Sequence, residues 1–133
     1  MAYVTKATTS GGRNGRAVLD NGGLGLAMAL PKEMGGNGEG HNPEQLFALG
    51  WSSCYCQALM LIAKKHGIDA QAAKVTCEVT LNTEGGFNLA AELKISVPGA
   101  DKAKVQAAAE EAHTVCPYSK ATKGNIPVKL TVI

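Results

Sequence analysis

The side chains with the most obvious chemistry in this chain are four cysteines, Cys54, Cys56, Cys77 and Cys116, and their settings sort them. Cys54 and Cys56 sit two apart inside an apolar run, Asn42 to Lys65. On a helix that separation is about 200° around the axis, so the two sulfurs face opposite ways and cannot bond to each other without unwinding it. Cys77 occupies an apolar position in an alternating segment, where a small core residue is the plain reading. Cys116 precedes Pro117 where one helix has ended and a new turn can begin, and free backbone N–H groups at such a start stabilise a thiolate. A buried mid-helix thiol and a thiol beside a fresh helix start suit a peroxidatic and resolving pair. Zinc competes for the same atoms, but Cys-x-Cys on one helix splays its sulfurs, and His41, His66 and His113 stand at no ligand spacing.

The element that must position Cys54 begins at Asn42, which can cap a helix. Pro43 suits the first turn, and Glu44 complements the positive helix end. Between Gln45 and Ala63 there is no charge and apolar side chains fall on every face, so this helix is expected to be enclosed, with a partner subunit supplying part of the cover. A membrane span has the same length, but Gly50, Ser52, Ser53 and Gln57 make the run too polar for a lone one.

Around this spine the chain reads as blocks of strands and helices, an α+β single domain of residues 1–133 with antiparallel sheets packed around a long central buried helix. Tyr3–Thr9, Ala17–Asp20 and Leu24–Leu30 form a meander, with Asn14-Gly15 marking a tight hairpin turn. Residues 35–41 are a glycine-rich connector lacking the Gly-Lys-Ser/Thr ending of a phosphate loop. Alternation from Val75 to Leu81 and from Phe87 to Val97 predicts a long hairpin. Asp101 caps a second helix reaching about His113, where a histidine can favour the last carbonyls, and Ile126–Ile133 closes the chain as a strand.

A net charge of +2 and scattered lysines argue against nucleic acid or an anionic membrane as partner. The start, Met-Ala-Tyr-Val-Thr-Lys, has no apolar core of a signal peptide, so a cytoplasmic location is expected and any disulfide should be transient and catalytic.

Several separated motifs then occur together: Gly-Gly-Arg-Asn-Gly-Arg at 11–16, Asn-Pro-Glu-Gln-Leu-Phe at 42–47, a cysteine ten residues after that glutamate, and Val-Cys-Pro-Tyr-Ser followed by Ala-Thr-Lys-Gly-Asn-Ile at 115–126. In this order, over nearly the whole chain, they resemble the organic hydroperoxide resistance family of the Ohr/OsmC superfamily. The resemblance implies a thiol peroxidase, an intertwined homodimer, that reduces organic and fatty-acid hydroperoxides to alcohols with no bound cofactor. It implies Cys54 as peroxidatic cysteine, Cys116 as its disulfide partner, and Arg16 and Glu44 as catalytic arginine and glutamate. Dihydrolipoamide or a lipoylated protein is the implied electron donor. The chain departs from the family pattern at Ser52, Ser53, Lys120 and Lys123, and Cys56 is an additional thiol.

The implied roles make physical sense. An arginine near Cys54 would lower the thiol pKa, Glu44 could hold its guanidinium in a bidentate pair, and Met34, Leu46 and Phe47 could form an apolar pocket for alkyl peroxides. On one straight helix, Glu44 and Cys54 are ~15 Å apart along the axis. Either Glu44 serves the thiol of a second subunit, the favoured arrangement, or the helix breaks near Gly50. Other readings are an OsmC-type peroxidase of broader range and a non-catalytic redox-sensing or binding module.

Overall fold

Thr8, Thr9 and Val18 favour extended backbone. In the computed structural model, which describes residues 1–133, they lie in a three-stranded antiparallel sheet of β1 (Ala7–Ser10), β2 (Arg16–Leu19) and β3 (Gly25–Ala27). The β1–β2 connection is not the two-residue Asn14-Gly15 turn that the sequence suggests. Such a turn needs positive φ at both positions, and no residue other than glycine adopts one here. Left-handed Gly11 and Gly12 instead open a five-residue loop whose middle, Gly12–Asn14, is a 3-10 turn, and the ladder resumes with Ser10 opposite Arg16. The loop closes so tightly that a Cβ on Gly15 would lie 1.7 Å from the Ser10 carbonyl oxygen.

The glycine-rich connector is held to its neighbours. The Gly36 and Gly38 N–H groups donate to Pro31 and Leu30 carbonyls, and the His41 N–H donates to Ala27 O while Ala29 N–H donates to His41 O. It delivers the chain to α1 (Pro43–Ala63), entered through a capping box: Gln45 N–H donates to Asn42 Oδ1 at 2.9 Å and Asn42 N–H to Gln45 Oε1 at 3.0 Å.

The chain forms two compact units, Met1–Leu46 and Phe47–Ile133. The second holds most of α1, a mixed sheet of β4 (Lys74–Asn82), β5 (Asn88–Ser96) and β6 (Val128–Val132), and helices α2 (Lys102–Val115) and α3 (Pro117–Thr122). β4 and β5 are the expected antiparallel hairpin, but β6 runs parallel to β5, because α2 and α3 carry the chain back across before it re-enters the sheet. Trp51, Tyr55, Leu59 and Ala63 of α1, Leu93 and Ile95 of β5, and Val105, Ala108 and Ala112 of α2 make one buried core. Cys77 lies in it, and burial pushes its thiol up to about 11, as suits an inert core residue.

Only one face of α1 is covered within the chain. Trp51, Tyr55, Ala58, Leu59 and Ala63 line that face, whereas Leu49 and Leu61 are 67% and 69% exposed. At the end of α2, burial and Lys123 push His113 below its ordinary pKa and Nδ1 has no partner, so it is no charged cap for the helix carbonyls.

Candidate active site

Cys54 and Cys116 come together in the second unit. Cys54 lies mid-way along α1, which runs unbroken through Gly50. Gly50 serves close packing: a Cβ there would meet the Tyr118 hydroxyl at 3.0 Å. Cys116 ends α2 and starts α3 at once. Its own N–H donates to Ala112 O, and its Sγ accepts the Ser119 N–H at 3.5 Å as the N-cap of α3, with Pro117 in the first turn. This is the setting the Cys116-Pro117 sequence suggests. The Cys116 thiol faces Cys54 Sγ at 3.4 Å, as donor to acceptor.

Cys116 is fully buried and Cys54 half-buried, beside an aromatic cluster. The Phe47 ring packs on Trp51, with centroids 5.3 Å apart, and meets Tyr118 edge-on at 6.2 Å. Burial pushes the Cys54 thiol up, the Tyr118 backbone N–H pulls it down, and the neighbouring Cys116 sulfur pushes it up again. The second unit has no arginine to counter this, since both arginines of the chain, Arg13 and Arg16, precede Leu46. Cys56, half-buried and two residues on, is a free thiol.

The first unit holds the arginine–glutamate half of the expected constellation, with one exchange. The guanidinium that Glu44 grips is that of Arg13, not Arg16: Nη1 donates to Oε2 at 2.8 Å and Nη2 to Oε1 at 2.7 Å, a two-bond fork. The five-residue loop is the cause. It puts Arg13 at its tip, whereas Arg16 opens β2 as a ladder residue, exposed, its guanidinium lying across bare Gly25, where a Cβ would come within 2.6 Å. The side chains of Arg13 and Glu44 are 37% and 17% exposed. The hydrogen-bonded guanidinium holds Glu44 below the usual carboxylate range, and Glu44 in turn raises Arg13.

The three residues expected to line an apolar pocket have different settings. Leu46 lines an apolar hollow of about 170 Å³ with Ala17, Val18, Leu24 and Leu26. Phe47 belongs to the aromatic cluster, and Met34 is exposed at the end of a 3-10 turn, Lys32–Met34. Sequence reasoning passed over Arg13, although the paired Gly11-Gly12, able to take two left-handed residues in succession, is a signal for the longer loop. It also passed over Trp51 and Ser119, whose relation to the cysteines depends on contact between distant segments.

A family model described as OsmC-like protein matches residues 36–131. An organic hydroperoxide resistance protein of Xanthomonas axonopodis pv. citri is 43% identical, the match covering 99% of this chain and 95% of the relative. The crystal structure of an organic hydroperoxide resistance protein from Legionella pneumophila superposes with a TM-score of 0.91 at 40% identity, covering 99% of this chain and 98% of that one. One from Elizabethkingia anophelis does so with a TM-score of 0.90 at 45% identity, covering 99% and 96%.

Proposed function

The chain belongs to the OsmC-like family, in its organic hydroperoxide resistance branch, and we propose that it is a cysteine peroxidase that reduces alkyl and fatty-acid hydroperoxides to alcohols. The observation that carries this reading is the 3.4 Å approach of the Cys54 and Cys116 sulfurs, from two helices 62 residues apart in sequence. Cys54 thiolate attacks the distal peroxide oxygen. The O–O bond breaks, the sulfur keeps that oxygen as a sulfenic acid, and the alkoxide takes a proton and leaves as alcohol. Cys116 then attacks the Cys54 sulfur: the S–S bond forms, the S–O bond breaks, and the hydroxyl leaves as water with the Cys116 proton. A lipoyl dithiol resets the pair by two thiol–disulfide exchanges, ending as its own cyclic disulfide. Both electrons pass through sulfur, so the cycle calls for no bound cofactor.

The cation that keeps Cys54 ionised against its burial is Arg13, aimed by Glu44. We assign it to a second copy of the chain, each copy a single domain of residues 1–133. Along an unbroken helix Glu44 stands ~15 Å from Cys54 of its own copy. The bare Leu49 and Leu61 face of α1 offers such a copy apolar surface to cover. The expected solution mass at assay concentration is that of two chains; a single-chain mass with full activity would refute this arrangement. Phe47, packed on Trp51 and Tyr118, gives the site an apolar wall that favours apolar peroxides over hydrogen peroxide.

The assay that tests the function is consumption of tert-butyl hydroperoxide with dihydrolipoamide or reduced thioredoxin as the donor. Continuous turnover is expected with dihydrolipoamide, at least about tenfold faster than with thioredoxin, from the gap of roughly 1.4 kcal/mol per decade that donor recognition must supply. Consumption that stops at one peroxide per chain with both donors would instead indicate a redox-sensing module, and none at all would dismiss the reading.

A further inference from the structure

Two side chains beside the cysteines have no task in the cycle above. Trp51, the only tryptophan of the chain, is fully buried, and its Nε1–H donates to the Ser119 hydroxyl at 3.2 Å. Ser119 is 1% exposed, one of two buried polar side chains, and the other, Thr122, donates to the Ser119 carbonyl. Trp51 precedes Cys54 by three residues on α1, and Ser119 follows Cys116 by three at the start of α3. Residues three apart on a helix share a face. The two segments therefore meet at two neighbouring rungs, sulfur to sulfur at 3.4 Å and indole N–H to hydroxyl at 3.2 Å. Ser119 also joins the rungs directly, because its backbone N–H is the donor to Cys116 Sγ.

We propose that Trp51 and Ser119 are positioning residues that hold the start of α3 against α1, so that the Cys116 sulfur stays in line with Cys54 during disulfide closure. This rests on the peroxidase reading. Closure brings the sulfurs from 3.4 Å to a bond of about 2.05 Å. Cys116 Sγ leaves the Ser119 N–H to make that move, whereas the Trp51–Ser119 bond stays made and keeps the backbone that carries Cys116 from drifting off. On the other side of Cys54 a matching tie, Tyr55 Oη–H to Ala109 O at 2.6 Å, secures α1 to α2, the helix that ends at Cys116. Closure competes with a second oxidation of the sulfenic acid to sulfinic acid. The clamp therefore decides how much peroxide the protein survives, while leaving the first oxidation of Cys54 unaffected.

The test compares the wild type with Ser119→Ala, Trp51→Phe and the double variant. Each is reduced, mixed with excess tert-butyl hydroperoxide and acid-quenched over time, and masses are read for sulfenic acid, disulfide and sulfinic acid at Cys54. Cys54 oxidation is expected within about twofold of wild type in all three, and closure about fivefold slower in each single variant, the worth of one net hydrogen bond. Sulfinic acid rises to match. The double variant is expected to be no slower than either single one, because both substitutions remove the same bond. Wild-type closure rates in both single variants overturn the clamp, as do losses that multiply in the double variant. Losses shared equally by Cys54 oxidation and closure, tracking a lower melting temperature, also overturn it in favour of a purely stabilising bond. If the unmutated protein forms no Cys54–Cys116 disulfide, the peroxidase reading fails first and the clamp with it.

Discussion

Peroxide consumption is expected to vanish in Cys54→Ser, falling by roughly ten-thousandfold or more, as when other enzymes lose their nucleophile. A serine hydroxyl stays protonated at neutral pH and cannot take the peroxide oxygen. Cys116→Ser should behave differently. It reduces one equivalent of cumene hydroperoxide per chain and stalls as a Cys54 sulfenic acid; only a second equivalent of peroxide, spent more slowly, oxidises that to sulfinic acid. A sulfenic-acid trapping reagent that adds its mass at Cys54 of Cys116→Ser, and not of wild type after closure, separates the two roles. Sustained turnover of cumene hydroperoxide by Cys54→Ser would sink the assignment. Cys56→Ser is expected to close its disulfide normally, since the Cys116 sulfur faces Cys54.

The second large effect is expected at Arg13. Arg13→Lys keeps a charge but loses the planar fork that fits the Glu44 carboxylate with two bonds of 2.8 and 2.7 Å. A drop of about 10²–10³-fold in the rate of Cys54 oxidation is expected, the range for removing one electrostatic donor from an active site. The thiol should also titrate higher than in wild type, read by thiolate absorbance or by the pH dependence of alkylation. Arg16→Ala, by contrast, should stay within about twofold, as for a surface substitution away from such features. A strong loss in Arg16→Ala with none in Arg13→Lys would return the role to Arg16.

The ion pair also carries a pH signature in stability. Glu44 has its folded pKa lowered by the Arg13 hydrogen bonds. Its contribution is therefore complete above the unfolded carboxylate value of about 4.3 and is lost as pH falls through the lower folded value. The melting temperature of Glu44→Gln should lie below that of wild type from neutral pH down to that region, and the gap should close on further acidification. A gap that widened in acid would contradict the sign.

Much of the fold was legible because its signals are local. Asn42, Pro43 and Glu44 mark the start of α1 within three residues, and the alternation of Val75, Cys77, Val79 and Leu81 marks β4. Cys116 was legible for the same reason: Pro117 can begin a new turn after a helix has ended, and in the structure Cys116 caps the helix that starts there. The direction of β6 was not, because a strand pattern is the same read parallel or antiparallel, and only the path through α2 and α3 decides it.

The choice between Arg13 and Arg16 shows where local signals run out. Gly11-Gly12 and Asn14-Gly15 each propose a turn, and the two propose different registers. A shift in loop length moves one arginine to the tip and the other into the ladder, and the winner depends on which loop lets Arg13 reach Glu44, 31 residues on. By itself, then, the sequence determined the family and most of the elements, and it singled out Cys54 and Cys116, all written in residue types and short spacings. Tertiary structure alone decided which guanidinium Glu44 holds, that Cys54 and Cys116 lie 3.4 Å apart, and that Trp51 and Ser119 meet beside them. Those facts depend on contacts between segments 31 to 68 residues apart, and such contacts form only when the whole core packs.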